Sequence, residues 1–167
     1  MLVLKAANFE DIEQEYLFVR DMPPDENGVM NPWAGISREA FEAQALPDMI
    51  AYAKGERLPE GYVPETFFFL WDDDVIVGQF RVRHHLCDSL REGAGHIGYL
   101  IKKEYRGKGY GKAGLRLTLE KARRIIPEDE IYLRVSRENP ASLHVMLANG
   151  GYIHHETADR YFVRIPK

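Results

Sequence analysis

Between a stretch of strand character and an amphipathic helix the chain reads Arg106-Gly107-Lys108-Gly109-Tyr110-Gly111-Lys112. Glycines let backbone N–H groups approach an anion closely, and a helix N-terminus adds partial positive charge. Arg106, Lys108 and Lys112 supply formal charge, so a pyrophosphate is the natural guest of this turn. Spacing and context count against two nucleotide readings. A P-loop needs Ser or Thr after Gly-Lys, and here Ala113 follows Gly111-Lys112. Gly109, Gly111 and Gly114 spell G-x-G-x-x-G, but Lys102 to Arg106 separate them from their strand, and the next strand ends at Val135-Ser136 without an acidic residue. The bland alternative is a connection whose glycines only permit tight packing.

The elements that must position this turn follow from periodicity. Met1 to Ala6 predict a short strand, and Asn8 an N-cap with Glu10, Asp11 and Glu13 set favourably against the helix dipole. Ile12, Tyr16 and Val19 carry that helix to about Arg20, before Pro23-Pro24. Residues 21–36 predict an extended loop, Ser37 opens a second helix with a Phe41, Ala45, Met49 stripe, and 55–64 predict another loop. The period then changes from helical to extended. Thr66 to Trp71 and Val75 to Val82 predict a hairpin turning at Asp72-Asp73-Asp74, and Gly95 to Ile101 a third strand. Leu115, Leu119, Ala122 and Ile125 mark a helix that stops at Pro127, followed by a strand over Ile131 to Val135. Asn139 caps a further helix with Pro140 at its first position; Gly150-Gly151 end it, and strands over Tyr152 to Glu156 and Arg160 to Ile165 close the chain. No repeat or linker interrupts residues 1–167, which predicts one α/β domain.

Arg106-x-x-Gly109-x-Gly111, preceded by Gly95-His96-Ile97-Gly98-Tyr99-Leu100-Ile101, resembles the acyl-CoA-binding signature of GNAT-family N-acetyltransferases, and the order of elements extends the resemblance over most of the chain. The resemblance implies a GNAT fold: a central, mostly antiparallel mixed sheet, splayed at a cofactor cleft and flanked by about four helices. It implies acetyl-CoA as co-substrate and a primary amine of a small molecule, peptide or protein as acceptor. Tyr99, Leu100 and Ile101 match the positions whose backbone groups bond the pantetheine arm and the acetyl carbonyl, on a strand expected to carry a bulge. Gly107, Lys108, Gly109, Tyr110, Gly111 and Lys112 match the segment around the pyrophosphate; Asn139 matches a residue contacting the cofactor arm, with Ser142 one turn on.

The implied reaction is direct attack of the amine through a tetrahedral intermediate, with one group to take a proton and another to protonate the thiolate. Where many members carry an acidic Tyr this chain has Met146, and where some carry a basic Glu it has Arg134. His96 is the expected replacement base, since an unperturbed imidazole titrates near ~6.5, and Tyr99 the expected acid. Strand alternation sets the two on opposite faces unless the bulge intervenes. His84, His85 and His144 are weaker candidates, and His154-His155 are expected on a late strand away from the cleft. Trp33 is a candidate wall of the acceptor pocket or a plain loop anchor. The rival readings are a non-catalytic acyl-CoA-binding module and a dinucleotide-binding oxidoreductase.

Composition narrows the classes. Lys plus Arg total 22 against 26 Asp plus Glu, a net charge of −4, which argues against a dedicated nucleic-acid binder. That small charge is a sum of patches. Residues 102–112 hold five basic and one acidic residue, whereas 10–65 hold thirteen acidic and four basic, an imbalance that predicts an acceptor side favouring a cationic amine. Lone Cys87 excludes an internal disulfide, and no His, Cys or carboxylate cluster has metal spacing. Without a membrane-length apolar run or a signal-like N-terminus, the expectation is a cytoplasmic monomer or homodimer, bound to neither membrane nor nucleic acid.

Overall fold

The computed structural model describes all 167 residues. The elements in chain order are β1 (Leu2–Ala6), α1 (Ile12–Asp21), β2 (Asp25–Glu26), β3 (Val29–Met30), α2 (Arg38–Ala40), a π turn (Phe41–Ala45) running directly into α3 (Leu46–Ala53), β4 (Glu65–Asp72) and β5 (Val75–Arg83). There follow α4 (Asp88–Arg91), β6 (Ile97–Ile101), a 3₁₀ turn (Lys103–Tyr105), α5 (Tyr110–Ile125), β7 (Glu130–Ser136), α6 (Pro140–Ala148), β8 (Tyr152–Glu156) and β9 (Arg160–Pro166). Helix α1 begins later than the Asn8 signal predicts. Asn8 instead caps the preceding turn, its Oδ1 accepting the N–H of Asp11 at 2.9 Å. Ser37 caps as expected, accepting the N–H of Ala40 at 3.1 Å, and Asn139 accepts the N–H of Ser142 at 3.3 Å. The β2–β3 ribbon, inside what reads as loop, is too short to show a period.

Strands pair antiparallel in the order β1-β4-β5-β6 and, in a second sheet, β7-β9-β8. The first sheet is buried on both faces, which is why β4 reads as a continuous apolar run rather than an alternation. On one face Leu115, Leu119 and Ala122 of α5 meet Phe80 and Val82, and the same core continues to Ile131, Leu133 and Val135 of β7. On the other, Phe18 and Val19 of α1 with Phe41, Leu46 and Met49 cover Phe67, Phe69 and Trp71. Each such fully buried Leu or Phe contributes about 1.5–3 kcal/mol. Gly114 sets how close α5 lies to the sheet, since a Cβ there would overlap the Phe80 ring.

The splayed sheet expected from the resemblance is present as two sheets that share no strand pairing. The bulge is not where the resemblance implies. Strand β6 pairs with β5 in unbroken register from Ile97↔Val82 to Ile101↔Gly78, and the register shift of this sheet falls at Leu70/Trp71, between β4 and β5.

Candidate active site

Strands β6 and β7 meet at one point and diverge from it. The N–H of His96 donates to the Tyr132 carbonyl at 2.7 Å, while its own carbonyl accepts the N–H of Arg83 on β5 at 2.7 Å. The imidazole completes the join, Nδ1 accepting the Tyr132 N–H at 2.9 Å. Because that partner can only donate, the ring proton sits on Nε2, which lies 2.8 Å from Glu128 Oε1. Gly95 permits the approach, since a Cβ there would overlap the Tyr132 carbonyl. Burial pushes the His96 pKa down, partly offset by Glu128. Burial also works to raise Glu128, but hydrogen bonds from His96 and the Leu86 N–H outweigh it and hold that carboxyl below its usual range. This corrects the reading of His96 as base. Its side chain is wholly buried, both ring nitrogens are engaged and it lies off the cleft wall.

Beyond this hinge a cavity of about 1410 Å³ opens between the two arms. Along β6 the ladder decides which backbone groups are free. The bonds from Arg83 N–H to His96 carbonyl and from Lys102 N–H to Val77 carbonyl bracket the β5–β6 pairing. In an antiparallel ladder the groups between them alternate, so Gly98 and Leu100 bond to β5 while Ile97, Tyr99 and Ile101 turn N–H and C=O toward the cleft. Leu100 is therefore corrected as a backbone ligand: its amide is spent on β5 and its side chain is core. The Ile101 carbonyl accepts Arg106 Nε at 2.9 Å, and the N–H groups of Tyr99 and Ile101 keep an open edge.

The glycine turn continues this edge. Gly107 and Gly109 sit at φ 77° and 84°, with open space where a Cβ would project, and Gly109 precedes the first turn of α5, whose N–H groups at Tyr110, Gly111 and Lys112 have no intrahelical partner. Side chains here diverge. Lys112 lines the cavity, Lys108 lies over the Tyr105 ring off the wall, and the Tyr110 hydroxyl turns away to Asp72. Arg106 reaches to Glu26 on β2 at 2.6 Å, joining the turn to the β2–β3 ribbon. These glycines and amides fit a polyphosphate cofactor arm, whereas Gly114, third in the dinucleotide-like pattern, serves packing alone.

Across the cleft, α6 brings Asn139 and Ser142 to the wall. The Tyr99 hydroxyl and Ser142 Oγ share a hydrogen bond at 2.7 Å, and the Tyr99 ring stacks on Phe80 at 5.2 Å. Burial pushes the Tyr99 pKa up to about 12, so the phenol stays protonated. Met146, at the position of the missing Tyr, is core.

The wall expected to face the acceptor lies over the opposite face of β6. Trp33 lines it, packed edge-on against Phe67 at 5.7 Å, and Asn31 pins this loop by donating Nδ2 to the Val19 and Met22 carbonyls at 2.9 Å each. Sequence reading missed the charged groups of this wall. Of the thirteen acidic residues in 10–65 only Glu26 and Glu65 reach the cavity, whereas Arg81, Arg83, Arg134 and Arg160 all do. The expected acidic acceptor pocket is thus corrected to a basic one. His144 lines the cavity; His84 bonds to Thr66, while His154 and His155 lie exposed on β8, away from it.

No helix is long and apolar enough to cross a membrane. Comparison with known proteins supplies the family. Residues 30–150 match the acetyltransferase (GNAT) family. No curated protein matches the sequence. Among solved structures, the ribosomal-protein-S5-alanine acetyltransferase of Vibrio fischeri superposes with a TM-score of 0.70 at 19% identity, over 99% of this chain and 92% of that one. A GNAT-family acetyltransferase from Streptococcus pneumoniae gives 0.64 at 16%, over all of both chains. The spermidine N-acetyltransferase of Vibrio cholerae, in complex with CoA and spermine, gives 0.62 at 16%, over 99% and 95%. With the two-armed sheet, the open β6 edge and the glycine turn at the start of α5, this match over most of the chain means that the protein belongs to the GNAT acetyltransferase family.

Proposed function

We propose that the chain transfers an acetyl group from acetyl-CoA to a primary amine by direct attack. The observation that carries this reading is two sets of unpaired N–H groups along one side of the cleft, at Tyr99 and Ile101 on β6 and at Tyr110, Gly111 and Lys112 in the first turn of α5. Acetyl-CoA supplies an acyl thioester, whose C–S bond breaks as the amine nitrogen bonds to the acyl carbon, giving an amide and the free thiol.

The residues divide the remaining work. The Gly107 to Lys112 amides and the Lys112 ammonium hold the pyrophosphate, with Arg106 and Lys108 adding field. Backbone donors at Tyr99 and Ile101 hold the acyl carbonyl and favour the charge that develops there. The protonated Tyr99 hydroxyl, oriented by Ser142, donates toward the departing sulfur. Asn139 serves as helix cap and wall of the arm together. Glu65, whose Oε1 is buried without a partner on the acceptor side, replaces His96 as the group that receives the ammonium and its proton. Trp33 bounds the acceptor. Similar structures named for spermidine and for a ribosomal-protein alanine support an amine acceptor.

Calorimetric titration with acetyl-CoA, CoA and NAD, followed by thiol release across an amine panel, tests the reading. Binding of both CoA forms and thiol release with at least one amine are expected. NAD-selective binding points instead to a dinucleotide enzyme, and CoA binding without turnover to a sensing module.

A further inference from the structure

We infer that the acceptor amine also carries an anionic group, carboxylate or phosphate, which Arg81 binds together with Arg83, Arg134 and Arg160; this rests on the acetyl-transfer reading above. Strand pairing places Arg81 opposite Phe67 and Gly98, and Arg83 opposite Glu65, on the face of the sheet away from α5. Alternation along β7 buries Ile131, Leu133 and Val135 toward α5, which puts Arg134 on the acceptor face; Arg160, paired with Ser136, shares it. Two arginines from each arm of the cleft therefore converge on one chamber.

They converge almost without counterions. Arg81 is nearly fully buried, its Nε donates to Gln79 Oε1 at 3.0 Å, its guanidinium lies 5.0 Å over the Phe67 ring, and Nη2 has no partner. Arg83 Nη1 finds only the Gly95 carbonyl at 3.2 Å. Arg134 makes neither a hydrogen bond nor a salt bridge, and Arg160 has only the exposed Asp159 carboxylate at 3.8 Å. Glu26 is spent on Arg106, which leaves Glu65 as the chamber's own free carboxylate. Burial lowers Arg81 to about 10, with Glu65 opposing, so the guanidinium is still charged at neutral pH. A buried guanidinium with an unmade hydrogen bond is costly, and an anion entering beside it restores the bond. Space for that anion exists: Gly98, paired with Arg81, has no atom within 4 Å of where a Cβ would stand. An ammonium on the same ligand matches Glu65, so the chamber presents both charges of a zwitterion.

The test uses the full chain, acetyl-CoA and matched primary amines: an amino acid, its amide, an aminoalkyl phosphate and a diamine, with thiol release as readout. The carboxylate or the phosphate member is expected to exceed the amide and the diamine at least ten-fold in kcat/KM, and whichever wins names the anion. Arg81→Gln is expected to raise KM for the anionic amine ten-fold or more, leaving KM for acetyl-CoA unchanged. Arg134→Gln, at a half-buried side chain without partners, gives a smaller rise in a chain that folds regardless. Turnover of amide or diamine as fast as the anionic amines overturns the inference and leaves acetyl transfer standing, as does an Arg81→Gln loss equal for all amines. Binding of acetyl-CoA with no amine turned over overturns both.

Discussion

His96 and Tyr132, thirty-six positions apart, exchange two hydrogen bonds, one from the His96 amide to the Tyr132 carbonyl and one from the Tyr132 amide to the His96 ring. The pair is the point from which β6 and β7 separate. It turns an imidazole suited to proton transfer into a fastener for the cleft.

His96→Ala is expected to destabilise the fold by about 2–4 kcal/mol, from a cavity plus the unmet Tyr132 amide. Thermal unfolding measures it. Acidification is expected to act in the same direction. The folded His96 pKa lies below the unfolded value, so the unfolded chain takes up its proton first and stability falls as pH drops below the ordinary histidine range. A base role for His96 predicts instead an unchanged melting temperature and a lost acidic limb in the pH–rate profile.

Glu15 has the opposite pH sign. It is fully buried against the Asn8 amide, and burial pushes its pKa up to about 8 from 4.5. The folded chain therefore holds a proton that the unfolded chain has released, and this contribution to stability is lost as pH rises between those values. Glu15→Gln is expected to flatten the decline in melting temperature from pH 5 to 8, and a slope identical to the parent's refutes it.

The glycines of the turn separate by role. Gly109→Ala, at φ 84°, strains the left-handed residue by about 1–2 kcal/mol and is expected to weaken CoA binding. Gly114→Ala, against the Phe80 ring and Leu70, is expected to cost about 1–3 kcal/mol of stability and to leave the CoA Kd of the folded fraction nearly unchanged. Calorimetry alongside melting distinguishes them.

Tyr99→Phe keeps the stack on Phe80 and removes the hydroxyl. It is expected to lower kcat by ten-fold or more with the acetyl-CoA KM within two-fold, read in a steady-state thiol assay. An unaltered kcat removes Tyr99 from the mechanism.

Local chemistry made much of this legible in the chain alone. The Ser37 and Asn139 caps, the Asp73–Asp74 hairpin turn, the stop at Pro127 and the glycine turn each depend on residues a few positions apart, and each stands where its signal lies. The resemblance carried by Arg106, Gly109 and Gly111 extended that local reading to a family. What the tertiary structure decided depends on which strand lies beside which. Whether Tyr99 or Leu100 has a free amide follows from the β5–β6 register. His96 reads as a base until its ring meets the Tyr132 amide and the Glu128 carboxylate. The acidity of residues 10–65 is spread mostly over surfaces other than the cleft, while Arg81, Arg83, Arg134 and Arg160, scattered along eighty positions, face one chamber because strand alternation and pairing turn them to the same side. Local propensity acts over a few residues, and long-range pairing sets the charge that a substrate meets.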